Sequence, residues 1–156
     1  MDRVTEEEMI TEQTLQSARF GSIEVPEALV IDVPEGLMGM HHLQRFAILE
    51  SRVPLTPFRF MLSLDDWEVG LAIADPSKLF SNYEVDVSAE REVLDIQSDE
   101  EAELFVILTI GENPMRTTAN LLAPLLLNRR TKVGRQLVLS DSRYSTKHPI
   151  IASRQQ

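Results

Sequence analysis

The sequence predicts a mainly β fold: a small antiparallel β-barrel-like or sandwich domain with one or two short helices. About nine short alternating or apolar segments follow one another, separated by Gly, Pro, Asn and Asp clusters, which is the spacing of strands joined by tight turns. No long helical pattern alternates with them, which argues against a parallel α/β sheet. The length of 156 residues suits one domain.

The elements run as follows. Residues 1–18 read as an acidic N-terminal tail, with a run of three glutamates at 6–8 and Met9, Ile10 and Leu15 as its main apolar content. A helix there would be marginal in isolation, and a frayed terminus is expected. The single β domain covers 19–150, and 151–156 form a C-terminal tail. Gly21-Ser22 is a turn signal beside the alternating Ile23-Glu24-Val25, and Ala28–Val33 is a mostly apolar strand stopped by Pro34. Pro34–Gly39 is a loop, Gln44–Leu49 a strand, and Pro54 and Pro57 bracket a bend. In Phe58–Leu64, residues Phe58, Phe60, Leu62 and Leu64 face one side and Arg59, Met61 and Ser63 the other.

Asp65-Asp66-Trp67-Glu68 is a polar turn leading into a strand at Val69–Ala74. Asp75-Pro76-Ser77 fits a capped helical turn, pinned to the core by Leu79 and Phe80. Tyr83–Val87 alternates like a strand, and Ser88–Leu94 suits a short helix with Ser88 as its cap. Asp99–Glu103 leads into Leu104–Ile110, an apolar strand buried on both faces. After a turn at 111–114, Thr117–Leu122 and Leu125–Leu127 are strand material interrupted by Pro124, the mark of a bulge or sheet edge. Asn128–Gly134 is a polar turn, and Arg135–Leu139 a closing strand.

Composition removes several function classes. The chain has no cysteine, so disulfides and thiolate metal sites are excluded. No signal peptide is visible at the N-terminus, and the longest apolar run, Leu121–Leu127, is far short of the ~20 residues of a membrane helix. The net charge of −10 argues against direct nucleic-acid binding. That charge is uneven. Residues 1–128 hold 24 acids and 8 bases, whereas 129–156 hold only Asp141 against seven bases. The basic end therefore either docks on the acidic body or meets an acidic surface such as anionic lipid.

Catalytic signatures are lacking. None of the six glycines forms a nucleotide-binding loop, and no nucleophile elbow or zinc-protease motif occurs. His41 and His42, as neighbours on extended chain, would point to opposite faces. A small β-barrel hydrolase using Asp65, Asp66 and His148 is the alternative that carboxylate and histidine availability allows. Aspartates in a turn signal are, however, ordinary backbone acceptors.

Taken in order, the motifs resemble the FliW family of flagellar assembly factors. The segments are Arg19-Phe20-Gly21-Ser22-Ile23, Pro34-Glu35-Gly36-Leu37, Arg45-Phe46-Ala47-Ile48-Leu49, Ser63-Leu64-Asp65-Asp66, Asp75-Pro76 with Phe80 and Tyr83, Asn120-Leu121-Leu122-Ala123-Pro124, Gly134-Arg135-Gln136, and Ser142-Arg143-Tyr144 through His148-Pro149. The chain departs from the family pattern at Met38, Met40, Trp67 and Ser145. The resemblance implies a compact β-barrel-like protein of the cytoplasm, with no cofactor and no catalytic activity. It implies two protein partners: flagellin, and the translational regulator CsrA, which the protein antagonises when flagellin export frees it. The expected form is a monomer that touches neither nucleic acid nor membrane. Asp65, Asp66 and Glu68 are the candidate acidic contacts, because acids steer encounter with a basic partner. Phe80 and Tyr83 are the candidate apolar anchors, although both residue types also suit a core.

Overall fold

In a computed structural model of the chain, the described residues are 12–17, 21–50, 57–66, 68–110, 112–141 and 143–150, the side chains of 12–17, 21–24 and 114 excepted. The chain order is β1 (Glu12–Ser17), β2 (Gly21–Pro26), β3 (Val30–Asp32), β4 (Arg45–Glu50), β5 (Phe58–Ser63), β6 (Gly70–Ala74), α1 (Ser88–Val93), β7 (Ala102–Thr109), β8 (Thr118–Asn128), β9 (Val133–Gln136) and β10 (His148–Pro149). Strands β3 to β9 form a closed barrel. Each of β3 to β8 pairs with the next, β9 pairs antiparallel with β8, and the parallel pair Asp32↔Val133 joins β9 back to β3. The barrel is thus the first of the two predicted architectures, and closure leaves its strands few free edges.

Strand β8 is shared along its length. Its first residues pair with β10 through His148↔Ala119, and its last with β9. Strands β1 and β2 form a separate two-stranded sheet, in register from Glu12↔Pro26 to Ser17↔Gly21. Residues 12–17 are therefore a strand, where a frayed or marginally helical tail was expected. The hairpin partner supplies the backbone hydrogen bonds that no local sequence signal shows.

The barrel wall is apolar on both faces. Phe46, Met61, Ile73, Phe105, Leu125 and Leu127 fill the interior, and the loop after β3 adds Leu37 and Leu43. Outside, Ala47 and Leu62 pack under Val25 of β2. Ala72, Val106, Ala119 and Leu121 pack under Leu79, Phe80 and Ile150. Leu126 packs under Leu94 and Ile96, which follow α1. Double-sided burial explains why β7 reads as a continuous apolar run. The second half of β5 is likewise buried on both faces. Met61 and Ser63 are as buried as Leu62.

Local chemistry sets the turns. Gly36 has φ +70°, and a Cβ there would lie 2.4 Å from the His41 carbonyl oxygen, so only glycine fits. Asp75 accepts from the Ser77 amide at 2.9 Å and caps the 3₁₀ turn Pro76–Lys78, as the sequence predicts. At α1 the cap differs from expectation. Ser88 is the first helical residue, and its amide and hydroxyl donate to Asp86 Oδ1 at 3.0 and 2.5 Å. Tyr83–Val87 is not a strand, since no ladder includes it. The closing strand ends at Gln136 rather than Leu139, and Val30–Asp32 is the only strand within the predicted Ala28–Val33. Pro54 lies outside the described residues.

Pro124 does mark a bulge. Phe105 faces Leu125 while Ile107 faces Asn120, so Leu121–Pro124 lie opposite Val106 alone. Side chains and flanking segments satisfy the displaced backbone. Asn120 Oδ1 accepts from the amides of Leu122 and Ala123, Tyr83 Oη donates to the Leu121 carbonyl at 2.6 Å, and Gln136 Nε2 donates to the Ala123 carbonyl at 2.9 Å.

Candidate functional site

The turn between β5 and β6 carries the predicted acidic residues, and its shape follows from three side chains. The hydroxyl of buried Ser63 accepts from the amides of Asp65 and Asp66 at 3.1 and 2.9 Å. Asp66 Oδ1 accepts from the Glu68 amide at 3.1 Å. Asp65 Oδ2 reaches across to the start of β4, accepting from the amides of Gln44 and Arg45 at 2.7 and 2.9 Å. Asp65 thus holds two elements together. Asp65 and Glu68 are exposed and Asp66 is half-buried. Trp67 lies outside the described residues.

Antiparallel connectivity sets the 33–44 loop, this turn and the 110–117 connection at one end of the barrel. Beside the turn, β6 and β7 part company. Their ladder begins at Ala72↔Leu108, and among the described residues it pairs neither Gly70 nor Leu71 with β7. The gap is a crevice of about 470 Å³ lined by Phe60, Gly70, Leu71, Leu108, Thr109 and Ile110. Sequence reasoning did not single it out. Its one linear trace is Gly70, the glycine that opens β6.

The two aromatic candidates sit in the protein's own packing. Phe80 is 9% exposed, part of the cluster outside β6–β8, and stands edge-on to His148 at a centroid distance of 5.2 Å. Tyr83 is half-buried, meets Tyr144 at 4.8 Å and donates to the bulge. Burial, then the neighbouring Tyr144, pushes the Tyr83 hydroxyl well above its usual pKa of 10.0. The structure does not bring these aromatics to the surface with the acidic turn. No interaction among the described residues joins His148 to Asp65 or Asp66, and no three His, Asp or Glu gather as a metal site there.

Much of the basic end is paired with the acidic body. Arg129 meets Glu103, Arg130 meets both Asp95 and Glu101, and Arg135 meets Glu35.

Comparison with known proteins assigns this barrel. The model of the FliW protein family matches residues 14–150, starting inside β1. The chain belongs to the FliW family. Among its relatives named flagellar assembly factor FliW, that of Geobacter sulfurreducens is 35% identical over 134 residues, covering 85% of this chain and 83% of that protein. That of Natranaerobius thermophilus is 32% identical over 138 residues, covering 87% and 91%. A crystal structure of the flagellar assembly factor FliW superposes with a TM-score of 0.79 at 29% identity, covering 88% of this chain and 96% of that one. FliW is a family of non-enzymatic flagellar assembly factors, so the hydrolase alternative on Asp65, Asp66 and His148 falls. Among the described residues, no helix is long and apolar enough to cross a membrane.

Proposed function

We propose that this FliW-family protein works in the cytoplasm as a monomeric partner-switching regulator. It binds flagellin, and when flagellin is exported it binds and antagonises the translational regulator CsrA, so that flagellin synthesis follows flagellum assembly. The observation that carries this reading is the family match along nearly the whole barrel. An acidic, hydrogen-bonded turn at one barrel end supports it, because an RNA-binding regulator presents basic surface. Within that turn, Asp65, Asp66 and Glu68 supply the negative field. Phe80 and Tyr83 contribute by holding the surrounding packing rather than as exposed anchors.

The test is a competition. Flagellin is titrated into a preformed complex of the full chain with CsrA, and free CsrA is measured by size-exclusion chromatography. Release of CsrA in proportion to flagellin is expected. A chain that captures neither protein at low salt overturns the reading.

A further inference from the structure

We infer that the crevice between β6 and β7 is a docking groove for an extended, apolar segment of a partner protein that carries a flanking Lys or Arg. This deepens the partner-binding reading above and rests on it. Three observations select that occupant. The walls are apolar, with Phe60, Leu71, Leu108 and Ile110 beside the backbone of Gly70. Backbone is on offer on the β6–β7 side alone, because Gly70 and Leu71 stay paired to β5 and Thr109 to β8 while all three lie beyond the end of the β6–β7 ladder. An extended chain can therefore add to the strand edge while its alternate side chains enter the gap, as in recognition by β-strand addition. Third, the mouth is acidic. The turns at 64–69 and 110–117 that flank it hold Asp66, Glu68 and Glu112 against the single base Arg116, while the Asp65 carboxylate turns to the start of β4. An apolar strand with a basic flank satisfies wall, edge and mouth together. An acidic segment would fail at the mouth, and a helix would leave the strand edge unpaired.

The lip is formed by Ile110, 44% exposed, and by exposed Thr109, neither of which belongs to a core cluster. Substitution at Ile110 therefore probes the groove without opening the barrel. The probe is a synthetic peptide of alternating Val and Thr ending in two lysines, titrated into the full chain by fluorescence anisotropy. Amide shifts are followed by NMR in parallel. Saturable binding is expected, with shifts concentrated at Gly70, Leu71, Thr109 and Ile110. Ile110→Lys should weaken it about tenfold, the effect of losing one well-packed interface contact. The same peptide ending in two glutamates should bind more weakly still. Thr109→Arg gives an independent block of the mouth, and a thermal melt of each variant checks the fold. Shifts elsewhere, no binding, or unchanged binding by both folded variants overturns the groove.

The partner-binding reading is tested apart from the groove. Intact CsrA and flagellin captured equally by wild type and Ile110→Lys would reject the groove and keep that reading. Failure of wild type to capture either would reject the reading, while the peptide map still decides the groove.

Discussion

At the scale of single residues, Asp65 and Glu68 divide the work of the acidic turn. The Asp65 carboxylate accepts two backbone amides from the start of β4, whereas no ion pair of Glu68 occurs among the described residues. Asp65→Ala should lower stability by about 1–2 kcal/mol, the range for lost hydrogen bonds to a charged group that is partly solvated. The midpoint of urea unfolding reads this. Glu68→Lys should leave that midpoint within about 0.5 kcal/mol while slowing association with a basic partner at low salt, an effect that disappears as salt rises. A charge reversal at Asp65 would mix both effects, so Glu68 is the cleaner probe. Tyr83 offers a second residue-level test. Its hydroxyl holds the Leu121 carbonyl at 2.6 Å, and Tyr83→Phe should cost about 1–2 kcal/mol by leaving that acceptor unpaired. Because burial raises the Tyr83 pKa above 10.0, the unfolded chain ionises first. Stability is then fully present below pH 10 and falls as pH climbs beyond it, and Tyr83→Phe should remove that part of the alkaline loss.

At the scale of elements, what was legible depended on whether the signal was local. The Pro34–Gly39 loop, the Asp75 cap and the bulge at Pro124 follow from residues that dictate their own backbone. Tyr83–Val87 shows the limit. Its alternation is real, with Val85 and Val87 packed against Leu126 and Leu137 while Glu84 and Asp86 face solvent. Period two records extended chain with one buried face, and whether a neighbouring strand pairs with it is a tertiary fact. Strand β1 errs in the opposite direction, a polar segment made into a strand by its pairing with β2. The acidic site was legible as a turn, and Ser63 organises it through local bonds two and three residues along, whereas the reach of Asp65 to β4 and the crevice beside the turn depend on long-range register. Asn128 shows how much a single tertiary contact can hold. Fully buried at the end of β8, it donates to the carbonyls of Leu94 and Asp95 and accepts from the amides of Arg130 and Thr131. It thereby fastens the end of α1 to the β8–β9 turn. Asn128→Ala should cost about 2–3 kcal/mol, since the buried Leu94 carbonyl loses this donor and the Arg130 and Thr131 amides lose their acceptor. Hydrogen exchange should speed up first at Leu94–Ile96, ahead of the barrel strands.

At the scale of the whole molecule, the division between an acidic body and a basic end becomes a fastening. The end-segment arginines 129, 130 and 135 lie on body carboxylates from β7, the α1 connection and the β3–β4 loop. Exposed pairs of this kind contribute little singly. Their shared consequence is pH dependence. Asp95 is held below the usual carboxylate range chiefly by its hydrogen bond from Arg130. Glu101 is held low first by the Gln97 amide, with Arg130 adding to it. Asp86 and Asp141 are lowered by Ser88 and Arg143 respectively. Each lowered group binds fewer protons when folded than when unfolded. Its contribution is therefore complete above the ordinary carboxylate pKa of about 4 and is lost as pH falls through the lower folded value. The fold should hold steady from neutrality to about pH 5 and weaken below it. Arg130→Met keeps much of the aliphatic stem but removes the main cause of the Asp95 shift and one cause of the Glu101 shift. Acid unfolding, followed by far-ultraviolet circular dichroism, should then be less steep in the variant, with stability at neutral pH reduced and stability below pH 3 close to wild type. Parallel curves for the two proteins across the whole pH range would show that Arg130 holds α1 to the barrel by geometry alone and that its charge contributes nothing.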